Sequence, residues 1–153
     1  IRLAQTCDNI IGIKEASGFP QQASQITAGD LPKDFVVLSG DDSLTVPFIQ
    51  NGAEGVISVL GNAYPQATSR LTHLAMDGHV NEADMLQTAL RQINAQLFQE
   101  GNPAGIKALL WLMRLIDSQT LRLPLVSASS ELVERLDQTR KELDHTLAHW
   151  GTL

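Results

Sequence analysis

Asn9-Ile10-Ile11-Gly12-Ile13-Lys14-Glu15-Ala16 is a short run rich in β-branched apolar residues that takes on charge only near its end, and Ser17-Gly18 and Pro20 close it. This composition predicts a buried strand followed by a loop. A helical stretch over Gln21–Thr27 and a break at Gly29-Asp30 come next, and then a second apolar run, Phe35-Val36-Val37-Leu38, ending at Ser39-Gly40-Asp41-Asp42. Asp41 or Asp42 can cap the helix that follows, which runs from Leu44 to Gln50 despite Pro47 and stops at Asn51-Gly52. Gly55-Val56-Ile57-Ser58-Val59-Leu60 reads as a third strand.

Strands that are continuous in Val, Ile and Leu are buried on both faces, as parallel strands of α/β folds are, and the connections are long enough for right-handed crossovers. After Leu60 the pattern changes: Tyr64–Met76, Val80–Gln99, Pro103–Ile116 and Glu131–His149 all carry helical periodicity. Three strands cannot close a barrel and would leave two exposed sheet edges. The expected architecture is therefore a half-barrel of about three parallel strands with a helical extension. Residues 1–76 are expected to form the last strands and helices of the barrel, and 77–153 the helical region. A first residue of Ile1, inside the helix-like stretch Ile1–Cys7, predicts a piece of something longer.

The 153 residues suffice to bury one core. The net charge of −6 comes from 17 acidic and 11 basic side chains with no basic cluster, which argues against a nucleic-acid partner. Cys7 is the single cysteine, so no intrachain disulfide forms, and no signal peptide or long apolar run is evident. A soluble cytoplasmic protein without a membrane partner is the simplest expectation.

Lys14 is the most informative residue, because a lysine ending a strand of Ile10, Ile11 and Ile13 places an amine at the rim of an apolar barrel interior. Desolvation there disfavours the ammonium, and only the neutral amine attacks a carbonyl. From the residues alone two roles stand open: a Schiff-base nucleophile, or a lysine that sends its charge outward to pair with Glu15 or a neighbouring acid. Ser39 and Ser58 also fall near strand ends, where parallel barrels carry their active sites.

Other features have structural readings. Asp41-Asp42 precede a helix, so capping and dipole compensation explain them better than paired acid–base carboxylates. His145 and His149 have the i, i+4 spacing that can hold zinc, but HExxH and a third ligand are lacking, which leaves a solvated helix face. Lys107, within an amphipathic helix, is expected to be structural, and Tyr64, beside Pro65, to mark a helix entry. The glycines of Gly52–Gly61 do not form a phosphate cradle and have no basic residue near them, which disfavours a phosphorylated substrate.

Gly12-Ile13-Lys14-Glu15-Ala16-Ser17-Gly18 resembles the active-site lysine strand of the dihydrodipicolinate synthase family. Leu38-Ser39-Gly40-Asp41-Asp42 and Gly55-Val56-Ile57-Ser58-Val59 resemble its next two strands. Leu97-Phe98-Gln99-Glu100-Gly101-Asn102-Pro103 with Lys107, and Leu121-Arg122-Leu123-Pro124-Leu125, resemble its Asn-Pro motif and its late Leu-Arg-Leu-Pro segment. The resemblance implies a class I Schiff-base enzyme, a lyase of lysine and diaminopimelate biosynthesis, in which Lys14 captures pyruvate and the resulting enamine attacks aspartate semialdehyde. The implied product is 4-hydroxy-tetrahydrodipicolinate. It also implies that Ile57 contacts the keto acid through its backbone carbonyl, that no metal or organic cofactor takes part, and that the protein is a homo-oligomer, a dimer or tetramer. The family's proton-relaying tyrosine and carboxylate-binding arginine come from earlier strands, so these 153 residues alone are expected to be inactive. The competing readings are another pyruvate-dependent aldolase or lyase, such as one acting on N-acetylneuraminate, and a non-catalytic helical interaction module.

Overall fold

The structure, a computed structural model, describes residues 1–151. Among them the chain runs α1 (Arg2–Thr6), β1 (Gly12–Glu15), α2 (Gln21–Thr27), β2 (Val36–Ser39), a 3-10 turn at Asp42–Leu44, α3 (Thr45–Gln50), a second 3-10 turn at Leu60–Asn62, and then α4 (Pro65–Met76), α5 (Val80–Ala89), α6 (Arg91–Phe98), α7 (Ala104–Leu112) and α8 (Ser130–Trp150). It divides into two compact units. One comprises Ile1–Ser58 and Leu71–Asp84; the other comprises Val59–Arg70 and the chain from Met85 onward.

In the first unit β1 and β2 pair in parallel, with Gly12, Ile13, Lys14 and Glu15 opposite Val36, Val37, Leu38 and Ser39. Side chains alternate across a strand, so Val37 and Ser39 share one face, which packs under α2 and α3. Ala23, Val37, Phe48 and Ala53 form the buried cluster there, with Ile26, Phe35 and Leu44 against it. The opposite face carries Lys14, Leu38 and Gly40, with Lys14 exposed.

The third apolar run contributes less strand than its composition predicts. It pairs through one parallel bridge, Ser39 with Val56, supported by Glu54 N–H to the Val37 carbonyl, Ser39 N–H to Gly55 and Ile57 N–H to Ser39, each at 2.8 Å. Beyond Ile57 the chain leaves the ladder, because the Ser58 hydroxyl bonds to the Asp42 carboxylate and Leu60–Asn62 winds into a 3-10 turn. Burial on both faces is likewise incomplete. Val37 is fully buried, whereas Ile11 and Ile13 are 68% and 42% exposed, since β1 is an edge with one strand neighbour among the described residues.

The second unit is helical. The periodic leucines are its core: Leu86, Ile93 and Leu97 from α5 and α6, Leu90 at the break between them, Leu109 from α7, and Leu132, Leu136, Leu143 and Leu147 down one side of α8 are all buried. Helices α6, α7 and α8 pack mutually. Gly105 is the closest approach, because a Cβ there would lie 2.3 Å from the Leu97 carbonyl oxygen and 2.7 Å from its Cα. Helix α8 starts at Ser129, whose hydroxyl accepts from Leu132 N–H, and ends at Gly151 in the left-handed region. Two predicted helices are shorter than expected: 80–99 breaks at Leu90 into α5 and α6, and α7 stops at Leu112, just before Arg114 takes a positive φ of 58°.

Candidate functional site

The C-terminal ends of β1 and β2 and the segment paired beside them bring together Lys14, Gly40 and Ile57. Because Ser39 lies opposite both Glu15 and Val56, the alternation puts Lys14, Leu38, Gly40, Gly55 and Ile57 on one face, the face opposite α2 and α3. Two close approaches agree with that assignment. A Cβ on Gly55 would sit 3.3 Å from Leu38 Cδ2, and one on Gly40 would sit 2.8 Å from Lys14 Cε and 2.6 Å from Ala16 Cβ. Glycine at position 40 thus leaves the space through which the Lys14 stem passes.

Lys14 is exposed and Glu15 is 6% exposed on the helix-covered face, where its Oε1 accepts from Ser17 N–H at 2.9 Å. The two side chains leave β1 in opposite directions, so the pairing of Lys14 with Glu15 is not made. No other acid forms an ion pair with Lys14 among the described residues.

Ile57 is held at its amide, which donates to the Ser39 carbonyl, while its own carbonyl accepts no hydrogen bond among the described residues. With its side chain's residue 46% exposed on the Lys14 face, Ile57 offers an unspent acceptor at the end of the ladder. Ser39 does not face this site. It is fully buried, its hydroxyl donating to the Asp41 carbonyl at 3.0 Å and accepting from Asp41 N–H at 3.2 Å, which sets the tight turn after β2.

The two aspartates divide their roles. Asp41 caps the 3-10 turn, accepting from Ser43 N–H at 2.8 Å, as its position before a helix predicts. Asp42 is 4% exposed; its carboxylate accepts from the Ser58 hydroxyl and its carbonyl accepts from Thr45 Oγ1 at 3.1 Å. Sequence reasoning missed this second role. The one available signal is that a cap needs only one of two adjacent acids.

The remaining candidates are engaged elsewhere. Tyr64 is buried in the helical unit and donates to Asp144 at 2.7 Å; burial first, and the Asp144 hydrogen bond second, push its phenol far above the ordinary tyrosine range. A phenol held protonated in this way is a structural donor. Arg140 completes that network by donating to Asp137 at 2.7 Å and Asp144 at 3.1 Å. Lys107 donates to the Thr120 carbonyl at 2.7 Å. His145 and His149 are exposed, their ring centroids 5.0 Å apart, and His149 Nδ1 lies 2.8 Å from the His145 carbonyl. No group of three or more potential metal ligands occurs among the described residues, and no described helix is long and apolar enough to cross a membrane.

The model of the dihydrodipicolinate synthetase family matches residues 1–143. The chain is 49% identical over 144 residues to a 4-hydroxy-tetrahydrodipicolinate synthase of Porphyromonas gingivalis, covering 94% of this chain and 48% of that one. With the enzyme of the same name from Cytophaga hutchinsonii it shares 42% over 149 residues, covering 97% and 49%. Among solved structures it resembles the 4-hydroxy-tetrahydrodipicolinate synthase of Methylacidiphilum fumariolicum SolV, with a TM-score of 0.89 and 38% identity over 97% of this chain and 49% of that one. The dihydrodipicolinate synthase of Aquifex aeolicus gives a TM-score of 0.88 and 35% identity over 94% and 48%. The chain spans about half the length of the curated relatives it matches.

Proposed function

Because the chain belongs to the dihydrodipicolinate synthetase family and matches its C-terminal half, we propose that it supplies the covalent nucleophile and one wall of a pyruvate-binding active site. The fold is that of the C-terminal half of a (β/α)8 barrel with a helical extension. In this reading residues 1–76 belong to the barrel and 77–153 to the extension, and the Lys14 face is the barrel interior. A barrel's helices lie outside its strands, so the face opposite α2 and α3 is where chemistry belongs.

The proposed reaction runs as follows. The Lys14 amine adds to C2 of pyruvate, the carbinolamine loses water, and an imine forms between Nζ and C2. Loss of a proton from C3 gives the enamine, whose C3 then bonds to the aldehyde carbon of aspartate semialdehyde. The substrate's amino group displaces Nζ at C2, closing the ring to 4-hydroxy-tetrahydrodipicolinate and freeing Lys14. The imine nitrogen is the electron sink, so the reading invokes no metal or organic cofactor. Ile57 presents its carbonyl oxygen to the carbinolamine O–H or the imine N–H. The groups that relay protons are assigned to residues outside this sequence. A homo-oligomeric, dimeric or tetrameric assembly in the cytoplasm belongs to the same proposal.

The single observation that carries the proposal is the placement of Lys14 and Ile57 on one face at the C-terminal end of the ladder, with Gly40 leaving room for the Lys14 stem. Borohydride reduction of the complete gene product in the presence of pyruvate, followed by peptide mapping, tests it. A reduced pyruvate adduct on Lys14, absent in Lys14→Ala, is the expected result, together with turnover of aspartate semialdehyde but not of N-acetylneuraminate. An unmodified Lys14 in the folded protein would falsify the assignment.

A further inference from the structure

Ile57 can serve as an acceptor only if its peptide plane is held in one orientation, yet it lies where the chain departs from the ladder. Its amide is fixed by the Ser39 carbonyl at 2.8 Å. The next residue, Ser58, is fixed by its hydroxyl to the carboxylate of Asp42, sixteen positions away in sequence. The bonds on either side of the Ile57 carbonyl are therefore both anchored, and both anchors belong to the end of β2 and the turn after it.

Asp42 is itself immobilised. It is 4% exposed, it opens the 3-10 turn capped by Asp41, and its carbonyl takes the Thr45 hydroxyl. Gly40, whose bare Cα faces the Lys14 stem, lies between β2 and the Asp41 cap of that turn. One rigid loop thus sets both the clearance for the amine and the aim of the carbonyl. We propose that Asp42 is a positioning residue: through Ser58 it orients the Ile57 carbonyl toward the keto acid captured by Lys14. The inference rests on the Schiff-base reading above and assigns Asp42 no contact with substrate. A buried carboxylate is costly to place where a simple cap would serve, and orienting an acceptor for a reacting centre is a use that recovers the cost.

The test is borohydride trapping as a function of pyruvate concentration on the complete gene product. Wild type must first give the Lys14 adduct; without it the Schiff-base reading fails before Asp42 is tested. In Asp42→Ala the pyruvate concentration for half-maximal trapping should rise about tenfold, with a near-normal plateau, since misaiming one acceptor weakens binding without removing the nucleophile. Asp42→Asn retains an oxygen that accepts from Ser58 and should restore the wild-type value. Ser58→Ala, which removes the donating hydroxyl, should behave like Asp42→Ala and decides the matter if Asp42→Ala does not fold. An unchanged half-saturation in folded Asp42→Ala or Ser58→Ala overturns the proposal. So does an Asp42→Asn variant as impaired as Asp42→Ala, or a lowered plateau at unchanged half-saturation.

Discussion

The two compact units bury their apolar residues by different means. The helical unit closes on itself: leucines from four helices meet, α6 and α7 touch backbone to backbone at Gly105, and its buried tyrosine, Tyr64, has a carboxylate partner. The strand-bearing unit covers one sheet face with Val37, Ala23 and Phe48 and leaves the other with a lysine, two glycines and a half-exposed isoleucine. Packing density gives stability, and an incompletely covered face gives access for chemistry. Substitutions in the helical unit should accordingly change stability and spare the intrinsic reactivity of Lys14, while substitutions on the open face should do the reverse.

The sharpest attempt to break that division is Gly105→Ala. Its new methyl group would meet Leu97 backbone at 2.3 Å, and backbone cannot swing aside as a side-chain tip can. We expect a loss of about 3 kcal/mol in denaturant unfolding, with pyruvate trapping on the remaining folded protein unchanged. Stability equal to wild type would mean that α6 and α7 part easily, and a trapping defect at full stability would dissolve the distinction between the units.

Gly40→Ala probes the other side. The added Cβ crowds Lys14 Cε, which is flexible, and Ala16 Cβ, which is not. Trapping at Lys14 should slow by about tenfold, equivalent to about 1.4 kcal/mol, while the melting temperature falls by only a few degrees. A slower reaction accompanied by a collapse in stability would make Gly40 a packing glycine and nothing more.

Much of this organisation is local and so was legible in the sequence. Gln21–Thr27 forms the helix its pattern predicts, Asp41 caps, and the leucine spacing of α8 fixes its buried stripe. What escaped depends on contacts distant along the chain. The break between α5 and α6 has no Gly or Pro to announce it, because Leu86, Leu90, Ile93 and Leu97 keep a helical period straight through it. The shortened third strand follows from a hydroxyl-to-carboxylate bond between Ser58 and Asp42, and the burial of Tyr64 from a partner eighty positions away. For the candidate site, the strand that carries Lys14 was readable; the facing of Ile57 was not, since it requires the register of Val56 against Ser39.

The smallest expected effect concerns how the helical unit fastens its longest helix. Glu100 accepts from Ser129 N–H at 2.8 Å and from its hydroxyl, joining the segment after α6 to the N-cap of α8. These hydrogen bonds from Ser129, with Arg135 adding attraction, hold the Glu100 carboxyl below the ordinary value of 4.5. A depressed carboxyl stabilises the folded state above the unfolded value, and that contribution is lost as pH falls through the lower folded value. Glu100→Gln should therefore melt slightly below wild type at pH 7, by on the order of 2 °C given full exposure to solvent, and the gap should close as the pH drops below about 4. A gap that persists unchanged into acid would assign the effect to hydrogen-bond geometry instead of charge. Pyruvate trapping at Lys14 should be indifferent to the substitution at neutral pH, because Glu100 and Ser129 belong to the helical unit and Lys14 to the strand-bearing one.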